Sequence, residues 1–211
     1  MPQYLTQEID KVGLFSVWKL TETEEELLAM RALSERELSQ LGKLKNERRR
    51  IEFLASRILL QQLLNRNIEV DYLSNGKPML ITPDYHFSLS HSKDFVAVIV
   101  SRDKEVGIDI EKMRDNMERL KEKFLSEQEL KAINPSDSLL LHLFWGAKES
   151  MYKMYSSFQP LFTEHLFVEN INLETQKAVG IVKQEQLCKK TAIQYQQIED
   201  NLLVYCWEKE Y

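Results

Sequence analysis

The sequence predicts an α+β protein built as two similar α/β lobes, with a cleft between them as the natural place for a site. Three observations lead there. The stretches 47–64 and 137–155 each read as one long helix, each is accompanied by about three short strand-like runs, and 211 residues suffice for two lobes of ordinary size. No repeat or low-complexity linker marks the join, which falls softly near Ser101 to Lys104. The division is drawn as 1–102 and 103–211.

In chain order, VGLFSVWKL (12–20) reads as a strand, and the acidic segment that follows reads as a helix opened by Thr21 or Thr23. Ser34 with Glu37 forms a capping box that starts another helix. From Glu47 to Leu64, apolar positions 51, 54, 58, 59 and 63 keep a helical period and leave the arginines on other faces. Asn75-Gly76-Lys77-Pro78 makes a turn, and His86–Ser90, Phe95–Ser101 and Val106–Glu111 are strands. Ser126 with Glu129 is a second capping box, Asp137–Tyr155 the second long helix, and strands follow near 167–173, 178–183, 191–198 and 202–208. The last two form a hairpin turned at Glu199-Asp200-Asn201.

Charge and composition narrow the function. A net charge of −5 argues against a general nucleic-acid binder, yet Lys43, Lys45, Arg48, Arg49, Arg50 and Arg57 crowd one segment that could hold a compact anion. Cys188 and Cys206 lack metal-type spacing and read as reduced structural thiols. The N-terminal residues show no basic segment leading into an apolar core, and the longest apolar run, Phe95 to Val100, is too short to span a bilayer. A cytoplasmic protein away from the membrane is expected.

Three stretches carry chemistry. In VGIDIEK, strand alternation puts Gly107, Asp109 and Glu111 on one face, so two carboxylates converge in a way that suits Mg²⁺. A half-buried strand with a solvated acidic face accounts for the same pattern. On the second long helix, Trp145, Lys148, Glu149, Tyr152 and Lys153 fall at the spacing of a single face, which sets an ammonium pair and a carboxylate beside a large apolar anchor. An amphipathic helix edged by an ordinary Glu149–Lys153 ion pair is the plainer alternative. In His86-Phe-Ser88-Leu-Ser90-His91, hydroxyls and imidazoles end a strand where phosphate oxygens could bind. No acidic partner placed in sequence makes this a hydrolase triad.

Gly107-Ile-Asp109-Ile-Glu111-Lys112 followed by Trp145-x-x-Lys148-Glu149-Ser150-x-x-Lys153, with Gly76-Lys77-Pro78 and Ser90-His91 upstream, resembles the paired motifs of the 4′-phosphopantetheinyl transferases. The match covers about 45 to 155, and the length resembles the longer, monomeric, pseudo-dimeric branch typified by the enzyme that activates surfactin synthetase. The resemblance implies transfer of the phosphopantetheine arm of coenzyme A to a serine of an apo acyl or peptidyl carrier protein, with release of adenosine 3′,5′-bisphosphate. It implies Asp109, Glu111 and Glu149 as Mg²⁺ ligands, and Lys153 as the group that stabilises or protonates the leaving bisphosphate. Lys77, Pro78, Ser90, His91, Asp109, Lys148 and Lys153 would hold coenzyme A, with Arg49 and Arg57 on its 3′-phosphate.

The serine proton has three possible acceptors, Glu149 first, then Glu129 or a metal-bound water. Lys121, Lys123 and Lys131, with Met113, Met117, Phe124 and Leu125, are the expected docking surface for an acidic carrier, unless those apolar residues are core. The chain departs from the family at Tyr155-Ser-Ser-Phe-Gln-Pro, where many relatives carry a glycine-bearing turn, and the part before residue 45 does not align. A binding module without turnover and a Mg²⁺-dependent phosphohydrolase are the competing functions.

Overall fold

The computed structural model describes residues 3–134, 136–184 and 187–209. The chain divides into two compact units, Met1–Asp103 and Lys104–Tyr211. Both mix helix and sheet, as the sequence predicts.

In the first unit, β1 (Gln3–Ile9) and β2 (Gly13–Lys19) form an antiparallel hairpin. Three helices follow: α1 (Glu24–Met30), α2 (Glu35–Gly42) and α3 (Glu47–Leu64). Thr23 and Ser34 cap the first two with complete capping boxes, which satisfies backbone N–H groups that have no partner within the helix. Asn46 caps α3 at its start and Asn65 ends it in the left-handed conformation, φ 49°. A short hairpin, β3 (Val70–Tyr72) with β4 (Pro78–Leu80), leads to β5 (His86–His91) and β6 (Phe95–Ser101). The main sheet runs β1-β2-β6-β5 and is antiparallel throughout. Leu54, Leu59 and Phe53 of α3 pack with Trp18, Val96, Val98 and Val100 in one core.

The second unit opens with β7 (Val106–Lys112), passes through a 3₁₀ segment (Met117–Lys123), α4 (Glu127–Ala132) and α5 (Ser138–Met154), and closes with four strands. These are β8 (Leu166–Asn172), β9 (Lys177–Gln184), β10 (Leu187–Ile198) and β11 (Asn201–Glu208). The order β7-β11-β10-β9-β8 puts the last strand beside the first. The first unit follows the same rule, because β2, the strand before its helices, pairs with β6, its last. The expected count of about three strands per lobe is therefore too low.

Three strands escaped the sequence for identifiable reasons. β1 lies at the sheet edge with Tyr4, Thr6, Gln7 and Glu8 exposed, so it carries no apolar alternation. β3 and β4 are too short to show a period. Among the described residues no helix is long and apolar enough to cross a membrane. Cys206 is buried, whereas Cys188 is exposed and is no part of a core.

α5 lies against β7 and β11 because glycines let it approach. A Cβ on Gly107 would sit 2.0 Å from the carbonyl oxygen of Ser150, and one on Gly146 would sit 2.7 Å from Val204 Cγ2. Ser150 Oγ donates to the Val204 carbonyl at 3.0 Å and fixes the register. Gly107→Ala would push against helix backbone, which cannot turn aside as a side chain can, and is expected to cost about 2–3 kcal/mol in urea unfolding. An unchanged midpoint would mean that α5 is free to shift.

Candidate active site

Asp109 projects from β7 toward α5 and is 3% exposed. Lys153 Nζ donates to Asp109 Oδ1 at 2.7 Å and to the Ile108 carbonyl at 2.9 Å, so the last turns of α5 are tied to the strand by a charge-assisted bond. Gly146, two turns earlier, has its missing Cβ position 3.7 Å from Asp109 Oδ2. Glu149 and Glu111 both sense the Asp109 charge. Burial, then Asp109 with a smaller contribution from Glu111, pushes the Glu149 carboxyl up to about 7, against the pull of Lys153. Burial and Asp109 likewise raise Glu111, offset by Arg114 and Lys153.

Three carboxylates against two cations, Lys153 and the more exposed Arg114, form an oxygen-rich, under-neutralised donor set, the chemistry a hard divalent cation fits. Among the described residues no three such side chains are gathered closely enough to enclose an ion as they stand. The electrostatic strain has a measurable consequence. A carboxyl raised from 4.5 to about 7 stabilises the fold fully below the unfolded value and loses that contribution as pH rises through the folded one. The metal-free protein is expected to melt at lower temperature at pH 7.5 than at pH 5, by an amount worth about 2 kcal/mol or less after solvent screening. Glu149→Gln should flatten that slope, and an identical slope in the variant would contradict the assignment.

Lys148 departs from the expectation that it holds coenzyme A. It is 0% exposed, and its Nζ donates to Glu129 Oε2 at 2.6 Å, the Phe124 carbonyl at 2.7 Å and the Phe162 carbonyl at 2.9 Å. All three ammonium protons are used inside the unit. The single face expected of α5 is really two adjacent stripes. Trp145 and Tyr152 side with Lys148, packing against Phe162, with Trp145 also edge-on to Phe124 at 5.5 Å. Glu149 and Lys153 turn toward Asp109.

Glu129 is equally committed. Its Oε2 accepts from Ser126 N at 2.8 Å and Lys148, and its Oε1 accepts from Val168 N at 3.0 Å. At 6% exposure it is not placed to take a proton from a substrate. The apolar part of the expected docking surface is core as well, since Phe124 is 0%, Leu125 2% and Met117 8% exposed. Met113 packs against that core, while Lys123 and Lys131 are exposed.

In the first unit, Arg49, Arg57 and His91 line one cavity of about 150 Å³ together with Ser56, Tyr72 and Glu52. Arg57, 2% exposed, stacks on the Phe53 ring at 3.9 Å and donates to Ser56 Oγ at 3.0 Å and Tyr72 OH at 2.5 Å. Arg49 Nη1 reaches Glu52 Oε2 at 3.0 Å and His91 Nε2 at 2.7 Å. Lys77 and Pro78 belong to the β3–β4 hairpin, where Pro78 pairs with Tyr72, but neither lines the cavity. Ser90 is set on the opposite sheet face from Leu89 and His91 by strand alternation.

Glu52 and Tyr72 were missed by sequence reasoning. An acid flanked by Ile51 and Phe53, four residues after Arg48 and three after Arg49, was the available signal for the first. Tyr72 carried none. The Tyr155–Pro160 segment forms a 3₁₀ turn, Ser156–Phe158, followed by Gln159 at φ 47°. Gln159 thus adopts the left-handed conformation that a glycine takes without strain.

Residues 105–206 match the model of the 4′-phosphopantetheinyl transferase superfamily. The chain is 37% identical over 113 residues to the 4′-phosphopantetheinyl transferase AcpT of Salmonella typhi, covering 50% of this chain and 58% of that one. Over 170 residues it is 27% identical to the 4′-phosphopantetheinyl transferase HetI of Nostoc sp., covering 72% and 71% of the two chains. It is 32% identical over 99 residues to the L-aminoadipate-semialdehyde dehydrogenase-phosphopantetheinyl transferase of Mus musculus, covering 41% and 32%. Against AcpT, the chain spans little more than half the relative's length.

Proposed function

We propose that this chain, whose residues 105–206 match the 4′-phosphopantetheinyl transferase superfamily, transfers the phosphopantetheine arm of coenzyme A to a serine of an apo carrier protein and releases adenosine 3′,5′-bisphosphate. The observation that carries this reading is the junction of β7 and α5, where Lys153 is bonded to Asp109 and Glu149 feels both charges. Asp109, Glu111 and Glu149 would hold Mg²⁺, which when bound supplies charge neutralisation for a pyrophosphate.

In the reaction the serine oxygen forms a bond to the pantetheine-bearing phosphorus, and the bond from that phosphorus to the bridging oxygen breaks. Lys153 is the cation at hand to stabilise or protonate the departing oxygen. Glu149 takes the serine proton, a role for which Glu129 is too fully committed. In the first unit Arg49, Arg57 and His91 receive the 3′-phosphate. Ser90, Lys77 and Pro78 lie off that cavity and are assigned no phosphate contact within it, and Lys148 is left out of the ligand set.

Carrier proteins are acidic around the modified serine, so a chain of net charge −5 must offer a local basic surface, for which exposed Lys123 and Lys131 are suited. In this reading the protein works as a monomer in the cytoplasm. Its two free cysteines fit a reducing compartment.

The test is incubation with coenzyme A, Mg²⁺ and a panel of apo carrier proteins, read as intact carrier mass. The expected result is a gain of one phosphopantetheine group, lost on adding EDTA. Coenzyme A breakdown without carrier modification would establish a phosphohydrolase instead, and binding without either reaction a module that has lost turnover.

A further inference from the structure

We propose that Glu52 is a positioning residue that makes the first-unit cavity selective for a phosphate monoester, so that coenzyme A is told apart from its 3′-dephosphorylated form. The proposal rests on the transferase reading of that cavity. A carboxylate lining a pocket meant for an anion is at first sight misplaced, since it repels the ligand and costs desolvation at 7% exposure. Its contacts show what offsets this. Oε2 accepts from Arg49 Nη1 at 3.0 Å and lies 3.4 Å from His91 Nδ1, while Oε1 faces Arg48 Nε at 3.5 Å. Arg49 also reaches His91 Nε2 at 2.7 Å. Carboxylate, guanidinium and imidazole thereby close a ring between α3 and β5.

The two arginines of the cavity are held differently. Arg57 is locked by packing on Phe53 and by its bonds to Ser56 and Tyr72. Arg49 has a side chain 58% exposed, a long and mobile group whose ordering opposes binding. Glu52 orders it in advance and sets the imidazole beside it, so that an incoming phosphate meets a fixed set of donors. The gain from preorganisation outweighs the repulsion from one buried charge that is already shared among Arg48, Arg49 and His91.

The experiment is calorimetric titration of the whole chain with coenzyme A and with 3′-dephospho-coenzyme A. The wild type is expected to prefer coenzyme A. Glu52→Gln should weaken coenzyme A about tenfold and leave the dephosphorylated ligand unchanged, so the preference falls by the same factor. Arg49→Lys keeps the charge but withdraws it from the position of Nη1, the nitrogen that reaches both Glu52 and His91, and should reduce the preference in the same way. Loosening of α3 alone would weaken both ligands alike, and that result overturns the proposal. So does an unchanged preference in Glu52→Gln, or tighter coenzyme A binding, as simple relief of repulsion would give. A wild type that transfers phosphopantetheine without preferring coenzyme A would overturn this role for the cavity and leave the transferase reading standing. Absence of both binding and transfer would instead be failure of the transferase reading.

Discussion

Asp109→Asn is expected to lower carrier modification by about 10²–10³-fold or more while leaving the fold in place. The reason is that asparagine keeps the shape and an oxygen able to accept from Lys153, but removes the charge around which Glu111, Glu149 and Lys153 are arranged. Two effects then combine: the proposed ion loses its most buried ligand, and Lys153 loses the acid that fixes its ammonium at the Ile108 carbonyl. The rate of carrier mass gain measures the first, and circular dichroism with thermal melting checks that the fold remains. Activity within about tenfold of wild type would remove Asp109 from the site. The same variant should bind Mg²⁺ more weakly in direct titration, a readout independent of turnover.

The second large effect concerns stability. Lys148→Met is expected to cost about 3–5 kcal/mol, because it leaves the Glu129 carboxylate buried without a cation and frees two carbonyl oxygens, of Phe124 and Phe162, from their donor. Burial already pulls the Lys148 ammonium below its usual range, with Glu129 working to hold it up, so the pair is mutually dependent. Urea unfolding of the variant beside the wild type measures the loss. A loss of activity without a loss of stability would restore Lys148 to the ligand set.

What the sequence revealed follows from how local each signal was. The bounds of α3 were legible because apolar spacing, an N-cap and an ending Asn all lie within the segment. The carboxylate pair on β7 was legible because strand alternation is rigid. Lys148 was misassigned because residues adjacent in a helix differ by only about 100° in direction, so a wide face on paper divides once two different partners are packed against it. Gly107 made sense only after Ser150 was seen above it. Glu52 could not be read as part of a site, since an acid beside arginines on a helix is also the commonest surface ion pair, and its partner His91 lies on another strand. The apolar residues near Met117 had two readings, and burial decided for the core.

The pairing of β7 with β11 sets the order of assembly. Asp109 sits opposite Val204, and Glu111 opposite Leu202, partners that lie 95 and 91 positions further along the chain (204 − 109 and 202 − 111). The hairpin β10–β11 closes locally through two residues, whereas closing this ladder must await nearly the whole of the second unit. During synthesis the carboxylates thus emerge before β11 and remain without that sheet neighbour until it has been made. A nascent chain stalled before Asn201 would carry every candidate metal ligand and still lack the strand that pairs with β7, so the sheet beneath the site is completed only by β11.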